Sequence, residues 1–220
     1  MKSVGDIYNI LIAGIGGQGV VRLGKILREF GIHTPLIKNV VGTETRGVSQ
    51  REGSVSATAR YLIDSRVYSL DQGYEVSDLI SPLIPINDAH LVLGLEPLET
   101  IRNLRFISEQ TVVIVNTHKH YPRDVIIGAE KEKTYPSTSK IVDLLDQFAR
   151  RVISMDFNQL STAKLKSAIY ANTIILGVGV REFKEIFDKK IMRNLIRNSF
   201  KRAEANLKAF DLGYNLINEF

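Results

Sequence analysis

YNILIAGIGGQGVVRLGKILREFG, residues 8–31, is the stretch that decides the fold. Tyr8–Ala13 is a short apolar run of the kind a buried parallel strand presents. Gly14, Gly16 and Gly19 then satisfy G-x-G-x-x-G, with Gly17 as a fourth glycine. Val20, Val21, Leu23, Ile26, Leu27 and Phe30 follow at helical spacing, and Gly31 is the expected stop. Strand, glycine turn and helix together make a place for an anion, a nucleotide phosphate above all. Glycine admits backbone angles closed to other residues. Without Cβ atoms, a phosphate also comes close to the backbone N–H groups. The helix start adds unpaired donors and a partial positive charge. That dipole supplies only about 0.3–1 kcal/mol at a surface, so it locates charge rather than creating affinity. A second reading stays open, in which the glycines serve only close packing of helix on strand.

The next strand tests which nucleotide. A NAD-binding unit needs an acid about 20 residues on, at the end of its second strand, to hold the ribose hydroxyls. Here residues 36–42 read LIKNVVG, with Lys38 and Asn39 and no acid; Glu44 comes later, in a loop. NAD is disfavoured. Lys38 leaves a phosphorylated ribose, and hence an NADP-dependent oxidoreductase, as an alternative.

Outward from this unit, strands and helices alternate. Strands are expected at Pro35–Val41, Val55–Ile63 (extended or paired by Arg66–Tyr68), His90–Leu95, Thr111–Asn116 and Val152–Asp156. The loop 42–54, GTETRGVSQREGS, is polar and rich in Gly, Ser, Thr and Arg, and 117–138 is a polar excursion. Helices are expected at Pro97–Asn103, with Glu96 and Glu99 at its positive end, and at Ser139–Arg150, with Ser139 as cap. Further helices run through Ser161–Val180, through Phe183–Phe200, and past Leu207 and Phe210 to a stop at Gly213. The pattern predicts an α/β fold: a three-layer Rossmann-like domain with a mostly parallel sheet and a helical C-terminal segment. A single domain is expected over 1–220, with an α/β core at 1–158 and helices at 159–220 packed on it.

Composition narrows the function classes. Twenty-nine basic against 24 acidic residues give a net charge of +5, spread along the chain. A nucleic-acid binder would gather that charge in one stripe among aromatics, so no nucleic-acid partner is expected. Arg150–Arg151 and Lys201–Arg202 read as solvated faces. There is no cysteine, so this chain has no thiolate nucleophile and no thiolate ligand for zinc or an iron–sulfur cluster. The start, MKSVGDIYNILIAGIGGQG, does not read as a signal peptide. The longest apolar run, Ala171–Val180, is too short to span a bilayer. A cytoplasmic protein with no membrane partner is the expectation.

Several residues invite a chemical reading. His118 and His120 follow the TVVIVN strand, at the end of a parallel sheet where ligands usually bind; with Asp124 as the only nearby acid, they suit a loop better than a metal. Asn116 and Thr117 suit strand capping as well as ligand contact. Glu96 and Glu99 suit the helix dipole. G-x-S-x-G, H-E-x-x-H and G-x-x-x-x-G-K-[ST] are all absent, so no catalytic nucleophile or general base is assigned. Arg46, Arg51 and Arg60, in or after the polar loop, suit contact with a phosphate, a carboxylate or a partner subunit.

Taken with the segments that follow it, the glycine turn GIGGQGV (Gly14–Val20) resembles that of the gamma-type subunits of 2-oxoacid:ferredoxin oxidoreductases, most closely the indolepyruvate branch. SQREGSVSATAR (Ser49–Arg60), LGLEPLETIR (Leu93–Arg102), NTIILG (Asn172–Gly177) and NLKAFDLG (Asn206–Gly213) carry the likeness in order along nearly the whole chain. The resemblance implies a non-cluster beta subunit, inactive alone, of an enzyme that oxidatively decarboxylates a 2-oxoacid to an acyl-CoA. Thiamine diphosphate and [4Fe-4S] clusters would sit in a large partner subunit, with ferredoxin as electron acceptor. No cofactor would be held by this chain alone. Coenzyme A would meet the glycine turn, at Gly14, Gly16, Gly17, Gln18, Gly19, Val20, Arg46, Arg51, Gly53 and Ser54. The sequence departs from the family's Arg-Gly-Gly at Arg51-Glu52-Gly53, where Glu52 adds a negative side chain. That departure keeps a non-enzymatic nucleotide-binding or assembly module as a further alternative.

Overall fold

Strand β1 (Ile7–Ile15) is buried along almost its whole length and lies at the centre of the sheet. The structure, a computed structural model, describes residues 7–47, 53–63, 81–120 and 135–216. Among these, β2 (Ile37–Val41), β3 (Glu44–Arg46), β4 (Ser54–Ile63), β5 (Leu91–Gly94), β6 (Val112–Asn116) and β7 (Arg151–Met155) join β1 in a seven-stranded sheet. The order is β2-β4-β1-β5-β6-β7, with β3 also paired to β4. β1, β5, β6 and β7 are parallel to one another; β4 alone runs against its neighbours β1, β2 and β3. The expected α/β fold with a mostly parallel sheet is what the chain forms. The reversed strand between β1 and β2 was not foreseen.

Period-two alternation divides the core in two. Ile10, Ile12, Leu91, Leu93, Val112 and Ile114 face one side. That side is covered by α1 (Val20–His33), α5 (Ala171–Glu182), α6 (Lys189–Ser199) and α7 (Ala203–Leu216). Leu11, Val92, Val113 and Val115 face the other side, against Ile141 and Leu145 of α3 (Thr138–Asp146). The short α2 (Pro97–Arg102) follows β5, and α4 (Phe157–Leu165) follows β7.

Two expected helix stops are instead packing positions. α1 continues past Gly31 to His33. A Cβ on Gly31 would stand 2.9 Å from the Val40 Cβ and 3.1 Å from the Tyr61 ring, so glycine lets the helix settle on the sheet. α7 likewise continues through Gly213 to Leu216. A Cβ there would lie 2.0 Å from the Ile174 carbonyl oxygen, and one on Gly177 would lie 2.2 Å from that of Phe210. These reciprocal glycines bring α5 and α7 into backbone contact. The expected Ser161–Val180 helix is divided: Lys166 ends α4 in a left-handed conformation (φ 61°), and a 3-10 turn at Ala168–Tyr170 leads into α5. The cap of α3 is Ser137, whose Oγ accepts from the Lys140 N–H, rather than Ser139. Arg66–Tyr68 lies outside the described residues.

Candidate anion-binding site

The glycine turn is held open by backbone geometry that favours glycine. Gly17 and Gly19 have φ of 94° and 86°, in the left-handed region. Gly19 is the N-cap of α1, and no side chain caps that helix, so its first N–H groups remain available. Gln18 folds back, its Oε1 accepting from the Ile15 N–H at 3.0 Å. Gly16 donates its N–H to the Gly53 carbonyl at 2.9 Å, joining the start of β4 to the turn. Asn172, at the start of α5, donates to the Gln18 carbonyl.

Above the turn opens a cleft of about 1130 Å³. Its walls come from three distant parts of the chain: residues between Ile15 and Glu29; Arg46, Gly47 and Gly53–Val55; and residues between Ile169 and Arg202, with Asn206. Among the described residues five cations line it, Arg22, Lys25, Arg46, Lys201 and Arg202, against one carboxylate, Glu29. Lys25 stands 3.7 Å from Glu29, and Arg46 is 3.8 Å from Glu44, which Arg28 holds at 2.7 Å. Arg22 lies over the Phe200 ring at 5.1 Å. A concave site with cationic walls and a glycine floor suits a polyanion of nucleotide size.

Gly16, Gly17, Gly19, Val20, Arg46, Gly53 and Ser54 all line this cleft. Gly14 lies beneath the turn, where a Cβ would meet Gln18, Val20 and Leu95 within 3.1 Å. Gln18 borders an adjoining pocket of about 270 Å³ with Asn116, Asn158 and Asn172. Arg51 and Glu52 lie outside the described residues. Arg22, Lys25, Lys201 and Arg202 were missed in sequence. The first two sit one helical turn apart on the polar side of α1, a legible signal. Lys201 and Arg202 reach the cleft only through the tertiary fold.

Arg60 is not at the cleft. It pairs across the sheet with Asn9, at the opposite end of β1 from the turn. Its side chain is buried and donates to Asn9 Oδ1 at 2.8 Å and to the Ser81 carbonyl at 2.6 Å. Burial lowers its pKa. Asn116 caps locally: its Oδ1 accepts from the Phe157 N–H at 3.0 Å and the His118 N–H at 3.3 Å. His118 Nδ1 lies 3.4 Å from Asp156, and among the described residues no three His, Cys, Asp or Glu side chains group as metal ligands. With no cysteine in the sequence, a thiolate-held cluster does not fit this chain.

At the β5–α2 corner Glu96 is buried and caps α2, its Oε2 accepting from the Glu99 N–H at 2.7 Å. Its other oxygen accepts from the Tyr135 hydroxyl. Burial raises the Glu96 carboxyl above its ordinary range, against the lowering effect of hydrogen bonds from Tyr135, Glu99 and the His120 backbone. Burial, with the Glu96 contact added, pushes the Tyr135 phenol up. This pair anchors both ends of the excursion after β6.

The sheet order also bears on NAD. The ribose-binding acid of a dinucleotide fold works because the second strand lies beside the first. Here β4 intervenes, which moves the end of β2 about 10 Å from β1.

The sequence model of the family described as pyruvate ferredoxin/flavodoxin oxidoreductase matches residues 9–216. The chain belongs to that family. The indolepyruvate oxidoreductase subunit IorB of Archaeoglobus fulgidus is 31% identical over 209 residues, covering 94% of each chain. Its counterpart in Methanothermobacter thermautotrophicus is 28% identical, over 96% of this chain and 98% of the relative. The 2-oxoglutarate synthase subunit KorC of Archaeoglobus fulgidus is 25% identical over 94% of this chain and 87% of its own. Among solved structures, the pyruvate oxidoreductase subunit PORC of Thermotoga maritima superposes with a TM-score of 0.62 at 17% identity, covering 94% of this chain and 95% of that one. A 2-oxoglutarate:ferredoxin oxidoreductase from Magnetococcus marinus, with 2-oxoglutarate, coenzyme A and succinyl-CoA bound, gives 0.63 at 16% identity; the whole of this chain matches 32% of that one. The gamma-type resemblance read from the sequence is borne out. Among the described residues no helix is long and apolar enough to cross a membrane.

Proposed function

We propose that this chain is the non-cluster subunit of a cytoplasmic 2-oxoacid:ferredoxin oxidoreductase that takes arylpyruvates such as indolepyruvate, and that its cleft holds coenzyme A. The observation that carries the reading is the open, uncapped helix start facing a cleft with five cations and one carboxylate. Coenzyme A is a polyanion at its nucleotide end and neutral along its pantetheine arm. The cleft is cationic, while the adjoining pocket is lined by carboxamides and aliphatic side chains.

In this reading Gly17, Gly19 and Val20 present backbone N–H groups to the diphosphate, while Gly16, whose own N–H is held by the Gly53 carbonyl, keeps the floor free of side chain. Arg46 adds charge from the β3 side, with Gly53 and Ser54 beside it, and Arg51 belongs to the same loop. Gly14 and Gln18 shape the turn from beneath. The partner subunit supplies thiamine diphosphate for the carbon chemistry and clusters that pass electrons to ferredoxin. This chain binds and orients the thiol substrate. The arylpyruvate assignment rests on the relatives named as indolepyruvate oxidoreductase subunits.

Co-expression with a thiamine- and cluster-bearing partner from the same source tests this. The expected product is a stoichiometric complex that reduces ferredoxin with indolepyruvate and coenzyme A. A chain that assembles with no such partner and binds NADPH but not coenzyme A would overturn the reading.

A further inference from the structure

The cations of the cleft are unevenly placed. Gly19 is the N-cap of α1, Arg22 follows within the first turn, and Lys25 lies about 9 Å from Gly19 along the helix axis. Lys201 and Arg202, which line the same cleft, end the three-residue link Phe200–Arg202 just before α7 begins at Ala203. Phe200 joins the two sides, since the Arg22 guanidinium lies over its ring. On the other side of the turn, the pocket bordered by Gln18, Asn116, Asn158 and Asn172 contains no charged side chain. The cleft therefore has a charged end and a neutral end, with the glycine turn between them.

One diphosphate on the turn does not account for a second group of cations beyond it. Arg22, Lys201 and Arg202 are exposed, and among the described residues lining the cleft the one carboxylate is Glu29, which Lys25 approaches. Gathering like charges at one corner costs repulsion unless an anion relieves it. We infer that Arg22, Lys201 and Arg202 form a separate phosphomonoester subsite in the same cleft as the turn, which takes the ribose 3′-phosphate of coenzyme A. This rests on the coenzyme A reading above and deepens it. The subsite makes the chain select coenzyme A over its dephosphorylated form and directs the pantetheine arm toward the neutral end.

The test uses the purified complex of this chain with its partner subunit. KM is measured for coenzyme A and for dephospho-coenzyme A, in the wild type and in Arg22→Gln, Lys201→Met and Arg202→Met variants, singly and combined. The wild type is expected to favour coenzyme A by about tenfold or more, the effect of charge-assisted contacts to one phosphate. The combined variant is expected to bring the two KM values within about threefold, chiefly by raising that for coenzyme A. Equal KM values in the wild type overturn the subsite and leave the coenzyme A reading standing. Discrimination that survives the combined variant overturns the assignment to these residues. A complex that neither binds nor uses either form overturns the coenzyme A reading itself, and the subsite with it.

Discussion

Asn172 donates its side-chain N–H to the carbonyl of Gln18 at 2.9 Å, across 154 residues of sequence. The same amide nitrogen lies 2.4 Å from where a Cβ on Gly19 would stand. The glycine turn is thus braced from behind by the C-terminal helices, and Gly19 is fixed twice, by its φ and by its neighbour. Gly17 shares the left-handed φ but has open space around its Cβ position. Gly19→Ala should therefore destabilise the chain by about 2–4 kcal/mol, from strain and overlap together. Gly17→Ala should lose only about 1–2 kcal/mol. Urea midpoints compared at constant m-value would measure both, and equal losses would remove Asn172 from the account.

The contact of α5 with α7 makes a sharper packing prediction. Gly177→Ala and Gly213→Ala each drive a methyl group into a backbone carbonyl, which has no side-chain freedom to yield. Each should cost about 1–3 kcal/mol or more. The double variant should cost less than the sum, because a single separation of the helices relieves both overlaps. Full additivity in a double-mutant cycle would mean the two sites do not share a contact.

Arg46 and Arg60 look equivalent in sequence and should behave oppositely. Arg46→Gln alters an exposed side chain and should shift stability by no more than about 0.5 kcal/mol, while weakening coenzyme A binding several-fold. Arg60→Gln breaks buried contacts with Asn9 and Ser81. It should cost about 1–3 kcal/mol of stability and leave the affinity per folded molecule unchanged. Thermal unfolding and calorimetry on the same preparations separate the two effects.

Glu96 and Tyr135 give the chain a pH-dependent corner. A buried carboxyl raised above its unfolded value holds its proton more tightly in the native chain. Its favourable contribution is present below about pH 4.5, the ordinary value, and is lost as pH rises through the raised one. The Tyr135 hydroxyl offsets part of that loss by donating to the carboxylate. Tyr135→Phe should therefore cost about 1.5–3 kcal/mol at pH 7 and clearly less near pH 4. A deficit identical at both pH values would show that the hydrogen bond does not serve the ionised form.

Much of this could be read in the sequence because it is local. The period of YNILIA and of TVVIVN sets the buried strands, and the spacing from Val20 to Phe30 sets the first helix. The glycine turn is local too, since φ and Cβ clearance are properties of single residues. What was hidden depends on partners far along the chain. Gly31 and Gly213 resemble helix stops, yet their absent side chains make room for Val40 and for the Ile174 carbonyl. Lys201 and Arg202 resemble a solvated pair and become a wall of the cleft only when α7 packs on α5. The reversed strand β4 has the same alternation in either direction, so sequence alone could not orient it.

The brace from Asn172 to Gln18 has a consequence for synthesis. The floor of the cleft is translated before the opposing wall, which runs from Ile169 to Asn206. Until that stretch has docked, a nascent chain has a glycine turn with one side missing. The site is completed only in chains that reach Asn206, so ligand capture reports on the docking of that wall, and truncations ahead of α7 remove it.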